Sequence, residues 1–203
     1  MKTLPLKVFL LIATLAFSCL SQAAQNILVF GDSLSAGYGI ARDDSWVHLL
    51  QQTLKPDYPQ YTVVNASISG ETTSGGLRRI DKALLEHKPA VVIIELGAND
   101  ALRGTPNDET EKNLSAIITR SRHANAKVLL LGMQIPPNYG LDYAKRFRAL
   151  YPKLAKQQQV SLLPFMLEGI PADQFQSDNL HPDARAQARI MRHILQSLLP
   201  LLR

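Results

Sequence analysis

Cysteine is nearly missing from this chain: Cys19 is the only one among 203 residues. It sits in a leader-like stretch, so a chain cut after it holds no thiol at all. A disulfide framework, thiol catalysis and cysteine metal sites are excluded together, and stability must come from packing. Charge of one sign is scarce as well. The 22 basic side chains include Lys2 and Lys7, and setting those two aside leaves twenty against 17 acidic ones, a net +3. Aromatics are few, at 6%, and no aromatic-studded basic stripe appears. Nucleic acid is therefore not an expected partner, while mild attraction to anionic lipid surfaces stays open.

Long hydrophobic runs are missing too, with one exception at the start. Lys2 and Lys7 precede the apolar run Val8 to Leu20, which leads into Ser21-Gln22-Ala23-Ala24. That run fits the roughly 7–15 residues of a signal-peptide core and falls short of the ~20 needed to span a bilayer. Residues 1–24 are expected to be a cleaved signal peptide, with the protein periplasmic or secreted and without a stable membrane span. A competing reading makes Cys19 the first residue of a lipoprotein, but Ala16-Phe17-Ser18 suits such a site poorly. Residues 25–203 are expected to form one domain of ordinary size, acting as a monomer.

What is present is an alternation. Short apolar runs at Ile27 to Phe30, Tyr61 to Ala66, Val91 to Leu96, Val128 to Met133 and Val160 to Leu163 read as five buried parallel strands. Amphipathic patterns lie between and after them at about Trp46 to Leu54, Thr73 to His87, Glu109 to Ala124, Tyr143 to Gln158 and Asp183 to Leu199. The alternation predicts an α/β sandwich. Right-handed crossovers would bring every strand's C-terminal end to one edge, where open α/β sheets bind ligands.

Two segments at that edge carry chemistry. Gly31-Asp32-Ser33-Leu34-Ser35 follows the first strand, and Asp178-Asn179-Leu180-His181-Pro182 precedes the last helix. A serine hydroxyl is a weak nucleophile that needs a base within hydrogen-bond reach, and the base needs an acceptor to fix its tautomer. Ser33, His181 and Asp178 supply those three types. The three-residue spacing allows one loop to hold base and orienter, with Pro182 suited to the first turn of the following helix. Acyl transfer also needs donors for an oxyanion. Gly70, Asn99 and the Ser33 amide offer three. Asp32 and Asp100 read as loop-stabilising acceptors, and no G-x-S-x-G elbow is present.

These blocks, Gly31-Asp32-Ser33-Leu34, Gly70, Gly97-x-Asn99-Asp100 and Asp178-x-x-His181, resemble in order and spacing those of the SGNH, or GDSL, hydrolases. More narrowly, Asn65 to Gly70, Leu102-Arg103-Gly104, Ile135 to Gly140 and Tyr151 to Ala155 look like the bacterial periplasmic group of multifunctional acyl-CoA thioesterases, lysophospholipases and arylesterases. The resemblance implies a flavodoxin-like three-layer α/β/α sandwich with five parallel strands in the order 2-1-3-4-5. It also implies a triad of Ser33, Asp178 and His181, an oxyanion hole from Ser33, Gly70 and Asn99, and no metal or organic cofactor. One departure is Ala98, where these enzymes often carry a second glycine.

The expected substrate is a small acyl ester or thioester, cleaved through an acyl-enzyme. Leu102, Ile135, Pro136, Pro137 and Leu180 are the candidates for its acyl groove, and Ala101 to Asp108 for a flap over it. Two other functions stay open at this point: a carbohydrate O-deacetylase of the same fold, and an exported lipid- or nucleotide-binding module with no activity.

Overall fold

The computed structural model describes residues 24–203, so the expected leader lies outside the described residues, apart from Ala24. Five strands, β1 (Gln25–Gly31), β2 (Tyr61–Asn65), β3 (Pro89–Glu95), β4 (Lys127–Leu131) and β5 (Ser161–Leu163), form one sheet in the order β2-β1-β3-β4-β5. Every neighbouring pair is parallel. Among the described residues seven α-helices accompany them: α1 (Ser33–Ala36), α2 (Trp46–Leu54), α3 (Thr73–His87), α4 (Ala98–Leu102), α5 (Asn107–His123), α6 (Leu141–Gln158) and α7 (Ala184–Leu198). The predicted fold class and strand order are the observed ones.

The layering follows from handedness. The step from β1 to β2 runs one way along the sheet and every later step runs the other way, so right-handed crossovers must send α2 to one face and α3, α5 and α6 to the opposite one. Accordingly α3 packs on α5 and α5 on α6, while α7 returns to pack beside α2. Ile27, Leu28, Val29 and Phe30 of β1 and Val91 to Ile94 of β3 are fully buried between the layers, each contributing roughly 1.5–3 kcal/mol by removal from water. Helix starts are fixed locally: Ser45, Thr72 and Asp183 accept backbone N–H groups at the starts of α2, α3 and α7.

Three expectations need correction. The five strands are not equally buried, because β2 and β5 are edges with a neighbour on one side only, and most of their residues are partly exposed. Two short helices, α1 and α4, replace expected loops, since four- or five-residue helices are too short to show a hydrophobic period. Pro182 does not enter the last helix. Asp183 caps α7, and Pro182 sits before the cap in an antiparallel bridge with Phe175.

Candidate active site

The strand ends converge as the crossovers require. At β1 the chain turns directly into α1, with Asp32 as N-cap accepting the Leu34 N–H at 3.1 Å. Ser33 is thus the first residue of α1 and is 8% exposed. Its Oγ lies 2.8 Å from His181 Nε2, and His181 Nδ1 lies 2.6 Å from Asp178 Oδ2. Positions separated by 148 residues are joined in one chain of hydrogen bonds.

The loop holding His181 is built to keep its shape. Asp178 Oδ1 accepts the Leu180 and His181 amides at 2.9 and 3.0 Å, a turn made possible by the left-handed Asn179 (φ 56°). Gln176 N–H donates to the His181 carbonyl at 2.8 Å, and its side chain donates to the Tyr38 carbonyl. The Tyr38 ring lies against the imidazole, with centroids 4.6 Å apart. Burial pushes the Asp178 carboxyl up, but the amides of His181 and Leu180 and the imidazole together outweigh it and hold the group down to about 2. An ionised carboxylate only accepts, so it draws the ring hydrogen to Nδ1 and leaves the Nε2 lone pair facing the serine hydroxyl.

Gly70 and Asn99 complete the edge. Gly70 adopts φ 78°, a left-handed conformation that favours glycine, and its carbonyl accepts from Arg103 at 3.0 Å. Asn99 lies in α4, and its Nδ2 donates to Asp32 Oδ2 at 2.9 Å. Ala98 costs the loop nothing: it is the first residue of α4, in ordinary helical conformation, and the special geometry falls on Gly97 (φ 116°). A Cβ on Gly97 would meet Tyr151 Oη at 2.5 Å. Asp100 is buried and accepts from Thr73 N and Oγ1 at 2.8 and 2.6 Å, tying α4 to α3. Its part is structural, as is that of Asp32 toward Leu34.

Beside Ser33, Gly70, Asn99 and His181 lies a cavity of about 250 Å³ with mainly apolar walls. Of the expected groove residues, Leu102, Ile135, Pro136 and Leu180 line it; the expectation for Pro137 falls on a side chain outside the described ones. Leu34, Tyr38, Met133, Phe165 and Leu167 also line it and were not expected. Each follows a strand end or a loop at the same edge, a signal present in the sequence but shared by many ordinary loop residues. The expected flap is anchored at two points, by Arg103 to Gly70 and by Tyr143 Oη donating to the Thr105 carbonyl at 2.8 Å.

Two further residues went unread. Arg79, in sequence only one of several scattered cations, donates to Glu71 at 2.6 Å and to the Ala66 carbonyl at 2.7 Å, bracing the loop that bears Gly70. Glu95 ends β3 fully buried beneath the segment bearing Ser33, accepting from Asp32 N at 3.1 Å and Ser35 Oγ at 2.7 Å. Among the described residues no group of three or more His, Cys, Asp or Glu side chains is arranged to hold a metal ion. No helix among them is long and apolar enough to cross a membrane.

Known proteins resemble the chain over most of its length. Residues 29–189 match the profile of the GDSL-like Lipase/Acylhydrolase family. Esterase TesA of Pseudomonas aeruginosa is 45% identical over 201 residues, covering 97% of this chain and 100% of that protein. An arylesterase of Vibrio mimicus is 44% identical, covering 93% and 96%. Thioesterase 1/protease 1/lysophospholipase L1 of Escherichia coli K12 is 41% identical, covering 95% and 91%. The crystal structure of TesA superposes with a TM-score of 0.85 at 45% identity, over 87% of this chain and 99% of that one.

Proposed function

The chain belongs to the GDSL-like lipase/acylhydrolase family, and from that membership we propose Ser33 as its nucleophile, His181 as general base and Asp178 as the residue orienting the base. The protein is a serine hydrolase of carboxylic esters and thioesters, with esterase, arylesterase and thioesterase relatives across almost its whole length. The observation that carries the residue roles is the unbroken line from Ser33 Oγ through His181 to Asp178, at 2.8 and 2.6 Å.

Ser33 Oγ attacks the acyl carbonyl while its proton passes to His181 Nε2. Negative charge on the carbonyl oxygen is met by the amides of Ser33 and Gly70 and by the Asn99 side chain. The imidazolium, steadied by Asp178, then protonates the leaving alcohol or thiol. Water enters, gives its proton to the same imidazole and releases the acyl group from Ser33. The acyl chain occupies the cavity between Leu102, Ile135, Pro136 and Leu180, with Pro137 beside them in the chain. Those apolar walls disfavour a carbohydrate deacetylase, which needs polar sugar contacts.

The leader pattern Lys2 to Ala24 supports export to the periplasm or beyond, and the weak net charge supports a protein that leaves nucleic acid alone. Large exposed apolar side chains among the described residues are Tyr38, Ile68, Leu85, Tyr139 and Leu141, a scatter that supports a monomer. The test is labelling with a fluorophosphonate probe alongside a chain-length series of p-nitrophenyl esters and acyl-CoAs. Labelling and turnover are both expected, and both disappear in Ser33→Ala; a labelled Ser33→Ala protein would sink the assignment.

A further inference from the structure

Glu95 is a titratable side chain that the acyl-transfer steps leave unused, and its surroundings are unusual for an acid. It is 0% exposed. Oε2 accepts from the Asp32 amide and Ser35 Oγ, while Oε1 is buried with no donor directed at it. The Glu95 carboxyl, held against the Asp32 amide, also lies close enough to the Asp32 carboxyl for each to shift the other's ionisation. Two carboxylates have four oxygens and no hydrogen to share, so a direct bond between them requires one proton. The oxygen free of donors, Glu95 Oε1, is the one that can carry it.

Among the described residues no lysine or arginine is hydrogen-bonded to either carboxyl, and His181 is the one basic group that lowers Asp32. The groups facing it are Arg79 from α3, Asp100 from α4, Tyr151 from α6 and His181 from the loop before α7. Arg79 is engaged with Glu71 and the Ala66 carbonyl, and it meets the β1 end through the Gly31 carbonyl at 3.4 Å and the Phe30 ring, 3.8 Å below its guanidinium, rather than through either carboxyl. Tyr151 donates to the Leu96 carbonyl and burial keeps it neutral, and Asp100 accepts from Thr73. Burial pushes the Glu95 carboxyl well above the usual carboxylate range, and the charge of Asp32 adds to this. Burial likewise raises Asp32, but the Leu34 amide, Glu95 and Asn99 oppose it and leave it at about 6. Both Asp32 oxygens already accept, from the Leu34 amide and from Asn99, while Glu95 Oε1 meets no donor, so a proton held between the two belongs on Glu95 and leaves Asp32 the anion.

The downstream contact is with Asn99. An amide side chain is symmetrical in shape, so whether it turns N–H or C=O toward a neighbour is decided by that neighbour. An anionic Asp32 Oδ2 accepts only and fixes the Nδ2 side of Asn99 toward it, at 2.9 Å. The second Nδ2 hydrogen is then available on the cavity wall that Asn99 lines.

We propose that Glu95 is a positioning residue for the oxyanion site: its neutral carboxyl donates to the Asp32 carboxylate, which in turn holds Asn99 as a hydrogen-bond donor toward the substrate carbonyl. This rests on the reading of Asn99 as an oxyanion donor. Glutamine reproduces a neutral Glu95, accepting from Asp32 N and Ser35 through its carbonyl and donating to Asp32 through its amide, whereas leucine supplies volume alone.

The test has two arms. Infrared difference spectra of the native protein against Glu95→Gln at neutral pH should show a protonated-carboxyl C=O band that the variant loses. Steady-state kinetics on a p-nitrophenyl ester should show Glu95→Leu losing about 10–100-fold in kcat with KM nearly unchanged, on the scale of a compromised oxyanion donor. Glu95→Gln should recover most of that loss. A merely structural Glu95 would make kcat follow melting temperature in both variants. Native spectra without the band overturn the proposal, and so does a folded Glu95→Leu with native kcat. Should Glu95→Leu not fold, the infrared arm decides alone. A native protein that shows the band but never reacts with a fluorophosphonate would defeat the hydrolase roles of Ser33 and Asn99 and leave the shared proton standing.

Discussion

Gly31 and Glu95 occupy each other's space: a Cβ on Gly31 would lie 2.5 Å from Glu95 Oε2 and 3.0 Å from the Glu95 carbonyl. The two residues are register partners on adjacent strands. The glycine that opens the Gly31-Asp32-Ser33-Leu34 block is thus needed for contact between strands, where its backbone is extended, rather than for a turn. A methyl there pushes against both a buried carboxyl and a strand backbone.

Gly31→Ala should therefore destabilise the fold by about 1–3 kcal/mol, the usual cost of overpacking a well-filled core. Urea unfolding of the two proteins measures it. A midpoint equal to the native one would mean that β3 shifts freely, contrary to the packing described.

Within the proposed triad, His181→Ala and Asp178→Asn should separate in size. Removing the base leaves only binding and the oxyanion donors, so kcat should drop by about 10⁵-fold or more, while a carboxamide at 178 should cost about 10⁴-fold by favouring the wrong ring tautomer. Single-turnover release of p-nitrophenol checks both. Near-native turnover by Asp178→Asn would remove that residue from the mechanism.

Two carboxyls with opposite shifts, Asp32 and Asp178, also shape stability against pH. Asp32 is raised from 3.8 to about 6, so its contribution is fully present below about pH 4 and is lost as pH rises through about 6. Asp178 has the opposite sign: lowered to about 2, it stabilises above about pH 4, and that support fades as pH falls toward 2. Melting temperatures of native protein and Asp32→Asn, taken from pH 4 to 7, should diverge with the variant gaining on the native protein as pH rises. A constant difference across that range would contradict the raised value.

The cavity makes a prediction about chain length. Met133 and Leu167 line it without touching the proposed triad contacts, so Leu167→Trp should fill part of its 250 Å³. Each methylene refused by an apolar pocket is worth about 1–3 kcal/mol, so kcat/KM for long acyl esters should fall by tenfold or more while acetyl esters change little. An equal loss for both lengths would mean that the acyl chain lies elsewhere.

Much of the molecule was open to reading along the chain. The five apolar runs, the ends of α2 and α3 and the order of the chemical blocks depend on local preferences and spacing, and the observed strand order is the one the resemblance implied. That Ser33, Asp178 and His181 could meet was legible because serine chemistry demands three particular groups, and only one pair of strand-edge segments supplied them; the structure brings the three side chains into hydrogen-bond contact.

What remained illegible depended on neighbours distant in sequence. An acid ending an apolar strand reads as the strand reaching solvent, yet Glu95 is sealed in because β3 lies against β1 at a residue with no side chain. Leu34, Tyr38, Met133, Phe165 and Leu167 become one wall only when five loops meet. Period, handedness and chemical type along the chain are enough to fix the sheet, its helices and the groups proposed for acyl transfer. Tertiary structure alone decided which carboxyl keeps a proton, because that turns on burial and on which charges stand within reach, and neither quantity is written in any local stretch of chain.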